Sequence, residues 1–134
     1  MSALAAGSPP QADSANLHAI KEAFRAFGHD IDAGLDLLLR DAHEDCEFRP
    51  YIGNGQVVRG PGEIRRYYDE ARAAGTQMSI NPTSFHEVGD EVIVHGSIRI
   101  ARASGGFSES QLSWTYSFRD GRLASAGWGP RQTV

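Results

Sequence analysis

The sequence predicts an α+β domain in which three N-terminal helices cover a curved, mainly antiparallel sheet and enclose an apolar pocket. Three observations carry that prediction. Apolar residues recur at helical spacing early in the chain. Strict alternation takes over from about Gln77, and glycine-bearing turns separate the alternating runs.

The first helix is expected from Ser14 to Phe27. Asp13 or Ser14 can cap it, because a short oxygen-bearing side chain satisfies an orphan N–H group. Leu17, Ile20, Phe24 and Phe27 share one face, and Gly28 ends the helix. A second helix follows through Ile31, Leu35, Leu38 and Leu39, with Asp30, Asp32 and Asp36 towards the end where the helix dipole favours negative charge. Cys46 to Tyr51 and Gln56 to Arg59 read as two short strands joined by a turn at Asn54-Gly55. Gly60-Pro61 opens a third helix with Ile64, Tyr67, Tyr68 and Ala71 as its apolar stripe, and Gly75 is its natural stop.

The remainder reads as a meander. One strand runs from about Gln77 to Val88, bulged at Pro82, which has no N–H to give a ladder. Strands from Val92 to Arg102, Glu109 to Phe118 and Leu123 to Trp128 follow, joined by turns at Gly89-Asp90, Ser104-Gly105-Gly106 and Asp120-Gly121. Val92, Val94, Gly96, Ile98 and Ile100 alternate with Ile93, His95, Ser97, Arg99 and Ala101, and Leu112, Trp114, Tyr116 and Phe118 alternate with Ser113, Thr115 and Ser117. The apolar set is expected beneath the helices. The other face is polar with few charges, which suits a second subunit: a homodimer through the outer sheet face.

Length and composition bound the rest. The 134 residues fit one domain, expected over residues 14–134 behind a disordered tail of residues 1–13 that lacks a signal-peptide core. The single cysteine, Cys46, cannot form an internal disulfide and reads as a small buried hydrophobe, and a cytoplasmic setting is expected. Net charge is −4, Lys21 is the only lysine, and the arginines are interspersed with acids, so a nucleic-acid partner is not expected. No apolar run approaches the ~20 residues of a membrane span.

Four stretches resemble the nuclear transport factor 2-like superfamily, and within it the SnoaL-like and ketosteroid-isomerase-like proteins: Asp45 to Tyr51, Arg59 to Tyr68, Gly89 to Gly96, and Phe118 to Leu123. With the helix pair ahead of them the resemblance covers roughly residues 14–129. It implies a cone-shaped α+β barrel, a pocket between sheet and helices, and a dimer. It also implies which residues to compare with the ketosteroid isomerases, which use an aspartate base and an oxyanion hole of a tyrosine and a protonated aspartate. Aligning the proline that follows their base with Pro50 puts Arg49 in the base position, Trp114 stands near the oxyanion-hole aspartate, and Ala23 or Phe24 falls near the tyrosine. Arginine stays protonated and cannot serve as that base. Steroid isomerisation by that set is therefore not expected.

The candidate polar residues are Arg49 and Tyr51, able to clamp and donate to a carboxylate or enolate, with Glu47 as a candidate base on the same strand face. Parity leaves two registers open: either these three face the pocket, or Cys46, Phe48 and Pro50 do. Phe24, Phe27, Tyr67, Tyr68, Trp114, Tyr116 and Trp128 come from elements that converge on the pocket and are the candidate ligand-binding walls. The His43-Glu44-Asp45-Cys46 run cannot ligate one ion from an extended chain, and no metal or cofactor is expected. The function expected is binding of a small hydrophobic, anionic-tending molecule, with isomerase, cyclase or hydrolase chemistry open. The alternative is a non-catalytic dimerisation or protein-interaction module whose cavity is filled by its own side chains.

Overall fold

A computed structural model describes residues 13–50 and 56–130. The expected tail (save Asp13), Tyr51 and the Asn54-Gly55 turn lie outside the described residues. Helix α1 (Ala15–Phe27) begins at Ser14, whose Oγ accepts from the Leu17 N–H at 3.1 Å and donates to Glu87 at 2.6 Å. Helix α2 (Ile31–Leu39) is capped by the Asp30 carboxylate. Two short strands follow, β1 (Glu47–Phe48) and β2 (Val58–Arg59), and then α3 (Pro61–Ala73). The long strands are β3 (Gln77–Val88), β4 (Glu91–Ala101), β5 (Phe107–Arg119) and β6 (Arg122–Pro130).

Among the described residues the sheet has six strands in the order β2-β1-β6-β5-β4-β3 and does not close. Its long strands are antiparallel, while β1 lies parallel to β6 with Phe48 opposite Ala126. β1 and β2 are shorter than the alternation suggests. Pro50 has no N–H for a ladder, and the last backbone bond on this side is from the Arg49 N–H to the Ala126 carbonyl at 2.9 Å. The bulge expected at Pro82 is present as a register shift between Pro82 and Ser84.

The inward row of β4 is buried from Val92 to Ile100, and Leu112, Trp114 and Tyr116 continue it on β5. Helix α1 closes the core with Ile20, Ala23 and Phe24, α2 with Leu35, and α3 with Ile64. Burying each of the large apolar side chains contributes roughly 1.5–3 kcal/mol by area. Ion pairs of Arg72 with Asp32 and of Arg65 with Asp36 join α3 to α2; being exposed, each adds about 1 kcal/mol at most. Among the described residues no helix is long and apolar enough to cross a membrane.

Gly34 fixes how α2 lies on α1. A Cβ there would sit 2.2 Å from the Phe27 ring. Gly34→Ala is therefore expected to swing Phe27 out of its position, lowering stability by about 1–3 kcal/mol in a urea titration.

Candidate functional site

Inside the cone the sheet and helices leave a chamber with about 50 Å³ of free volume, room for a few water molecules. Phe27, Tyr68, Trp114 and Tyr116 line it, with Ile31, Leu38, Phe48, Met78 and Ile98 filling the gaps. Arg49 is the one charged residue among the described lining residues. A larger groove of about 570 Å³ stands beside the chamber, between the turn from α1 to α2, the last turns of α3 and the start of β3. Phe27, Ile31, Tyr68, Met78 and Ile80 line both spaces, so these five side chains form the partition between them. The groove is polar on its outer side, with His29, Asp30, Asp32, Arg72 and Ser79.

The aromatic residues divide into walls and backing. Phe24 is 3 % exposed and does not line the chamber; it is the hub of edge-to-face contacts with Phe27, Phe85, Trp114 and Tyr116 at 5.4–5.8 Å. Each such contact adds about 0.5–1.5 kcal/mol beyond burial and holds the walls at fixed angles. Tyr67 stacks edge-on against Tyr68 at 5.6 Å, outside the lining. Trp128 pairs in register with Trp114 and packs against the core, also outside the lining. Met78 and Ile80, which sequence reasoning did not single out, and Ile31, which it placed only on the helix stripe, are part of the partition.

The register at β1 is the one that buries Cys46, Phe48 and Pro50. Glu47 is turned to the opposite side of the sheet, where it pairs with Arg59 at 2.8 Å, and it does not line the chamber. Arg49 is exposed and stands where the chamber meets the outer face; it lines the chamber and two hollows on that face. No carboxylate lies at ion-pair distance from it among the described residues. Cys46 is fully buried, and burial raises its thiol pKa, so it packs as a hydrophobe. Among the described residues no three His, Cys, Asp or Glu side chains are grouped to hold a metal ion.

The chamber's chemistry is that of hydrogen-bond donors. Burial pushes the phenols of Tyr68 and Tyr116 well above the ordinary tyrosine value, and each is raised further by a neighbouring tyrosine. Both stay protonated at neutral pH and can donate. No carboxylate or histidine lies among the described lining residues, so they supply no general base.

These raised values set a pH dependence. A tyrosine with a folded pKa above its unfolded value of about 10 contributes stability that is complete below pH 10 and is lost as pH rises towards the folded pKa. Alkaline unfolding is expected to set in above about pH 10. Absorbance at 295 nm should show two phenols ionising only with unfolding, and Tyr68→Phe/Tyr116→Phe should move that transition to higher pH.

Residues 17–126 match the SnoaL-like domain over most of the chain. The chain belongs to the SnoaL-like family. Solved structures agree in fold. An NTF2-like protein of unknown function from Burkholderia pseudomallei is 20 % identical, with a TM-score of 0.74 over 89 % of this chain and 92 % of that one. TerC, co-crystallised with polyporic acid, is 23 % identical, with a TM-score of 0.71 over 88 % of this chain and 92 % of that one. A putative SnoaL-like polyketide cyclase from Jannaschia sp. CCS1 is 14 % identical, with a TM-score of 0.69 over 90 % of each chain. No curated protein matches in sequence. The SnoaL-like architecture, among the described residues three helices on an open curved sheet around an aromatic cluster, thus rests on both sequence and fold.

Proposed function

We propose that this SnoaL-like protein binds a small hydrophobic anion, entering through the groove and placing an aromatic ring among Tyr68, Trp114 and Tyr116. The observation that carries the reading is the shared partition. A space of about 570 Å³, within the range of small-molecule sites, abuts an aromatic chamber across only five side chains. Rotation of Phe27, Ile31, Tyr68, Met78 or Ile80 joins the two. Arg49 lines the chamber and not the groove, so it marks the end away from the groove, at the outer face, where a carboxylate or enolate would meet a guanidinium fork and two phenolic donors. Tyr51, two residues on, remains part of this proposal.

The donors suit reactions that polarise a carbonyl or stabilise an enolate, as in cyclisation or isomerisation, with proton abstraction left to a group outside the described lining. That TerC was co-crystallised with polyporic acid, and that the Jannaschia protein is described as a putative polyketide cyclase, are consistent with a ligand of this size and character.

The test is a thermal-shift screen with polyporic acid, aromatic carboxylates and their neutral isosteres. A ligand at a hundred times its Kd stabilises by about 2.7 kcal/mol, a rise of several degrees for a domain of this size. Arg49→Ala is expected to erase the preference for the carboxylate over the neutral isostere. No stabilisation across the panel, with Arg49→Ala equally inert, would rule the reading out.

A second reading has one observation in its favour. With about 50 Å³ free, the chamber is nearly filled by its own side chains, as a non-catalytic dimerisation module would have it. In that case no ligand stabilises the protein, and substitutions at His95 or Arg99 on the outer sheet face change its sedimentation. Self-association through that face is a proposal common to both readings.

A further inference from the structure

Five side chains part the groove from the chamber, and four of them are held by their own element. Met78 and Ile80 lie in the β3–β4 ladder opposite Ile100 and Ile98, so hydrogen-bonded neighbours pin their backbone. Tyr68 stands midway along α3 and is braced edge-on by Tyr67. Ile31 opens α2, and branching at its Cβ leaves it one strongly preferred χ1 rotamer in a helix. Phe27 differs. It is the last residue of α1, followed by Gly28-His29-Asp30 before α2 begins, and a helix end is where backbone bonds yield first.

The Phe27 ring owes its place to a missing side chain. Gly34 lies in the interior of α2, where glycine is less favourable than alanine. The Cγ, Cδ1 and Cε1 atoms of the Phe27 ring all stand within 2.6 Å of the place a Gly34 Cβ would take, closer than a side chain allows. The ring therefore rests against bare helix backbone, with Phe24 edge-on at 5.4 Å. Among the described glycines, Gly34 is the one whose nearest neighbour is a partition side chain. A change of staggered χ1 rotamer carries the ring off the glycine. Because Phe27 lines both spaces, that movement joins them.

We infer that Phe27 is the gate between groove and chamber and that Gly34 is its seat: the gate is shut while the ring rests on the Gly34 backbone and open when the ring swings off it. The inference rests on the ligand path proposed above and adds which side chain moves and what sets its resting place. Gly34 lines neither space, so it acts through Phe27 and is a positioning residue. A minor open state populated at about 10 % or less limits access by that fraction, so a substitution that holds the gate open speeds entry about tenfold or more.

Trp114 lines the chamber behind the gate and reports on it without any ligand. A Trp128→Phe background leaves it as the one tryptophan, and acrylamide quenching of its fluorescence measures access from solvent. Gly34→Ala fills the seat and is expected to raise the quenching rate constant about tenfold. In a Phe27→Ala background, with no ring left to displace, Gly34→Ala is expected to add nothing. Leu123→Ala, a buried substitution lining neither space, controls for general loosening and is expected to leave quenching unchanged. Stopped-flow mixing with polyporic acid reads the same gate through a ligand, and Gly34→Ala is expected to speed its association about tenfold. Each variant's fold is checked by circular dichroism. The gate is overturned if folded Gly34→Ala is quenched like the parent, if Leu123→Ala is quenched as much, or if Gly34→Ala acts equally with and without the Phe27 ring. If Gly34→Ala does not fold, Phe27→Ala decides: quenching at the parent's rate overturns the gate, and a rise with Leu123→Ala unchanged supports it. Raised quenching in Gly34→Ala without polyporic acid binding keeps the gate and removes that ligand. Polyporic acid binding with quenching and association unchanged in Gly34→Ala keeps the ligand site and overturns the gate.

Discussion

Trp114→Ala is expected to cost about 3–5 kcal/mol in urea-unfolding experiments, the largest single effect we foresee. Trp114 is 8 % exposed and lies on β5 between Val94 of β4 and Trp128 of β6. Its ring meets Phe24 edge-on at 5.7 Å, so removal strips contacts from both the sheet and helix α1. The vacated space adds to the chamber's 50 Å³, and the pocket left behind is apolar. Indole should therefore recover part of the lost stability in the variant and have no effect on the parent. A loss below about 1 kcal/mol would mean that the chamber wall is soft, and that the space around Trp114 is not close-packed.

Gly96→Val is expected to destabilise by about 3 kcal/mol, at the upper end of ordinary overpacking. Gly96 faces the bulge of β3, and a Cβ there would lie 2.4 Å from the Asn81 carbonyl oxygen and 2.9 Å from the Pro82 Cα. Both neighbours are backbone, so relief requires the bulge to move, and Met78 and Ile80, which help to form the partition, are on the same strand. At Gly129 an added Cβ meets nothing within 4 Å, and valine there is a strand-favouring residue, so that replacement is expected to change stability by less than about 1 kcal/mol. Unfolding free energies of the two variants, measured side by side, separate a glycine that packing demands from one with open space beside it. Equal costs would contradict the distinction.

Much of the fold was legible in the sequence because local rules and global packing agree along most of it. Ser14 caps α1 as its hydroxyl predicts, Pro82 breaks the β3 ladder, and the alternation from Val92 to Ile100 sorts inward from outward side chains. The short strand at Glu47–Phe48 was harder. Its alternation fits two registers, and what decides between them is its parallel pairing with β6, some 78 residues away, which local sequence does not encode. That same pairing carries Glu47 to the outer face and leaves Arg49 at the boundary.

The walls of the chamber were partly legible. Phe27, Tyr68, Trp114 and Tyr116 line it as their periodicities suggest. Phe24 shares the helical face with Phe27 but lies deeper, because α1 crosses the sheet over Phe85, Trp114 and Tyr116. The groove could not be read from the sequence at all. Its lining comes from the turn between α1 and α2, from α3 and from the start of β3, and only the tertiary arrangement brings them together.

The most direct test of the account is a crystal structure of the protein with an aromatic carboxylate, chosen from the thermal-shift screen. The account predicts that the ring lies between Tyr68, Trp114 and Tyr116, with Phe27 or Ile31 rotated to open the partition and the carboxylate against Arg49. Density for the ligand on the outer face alone, with the chamber still filled by its own side chains, would contradict it.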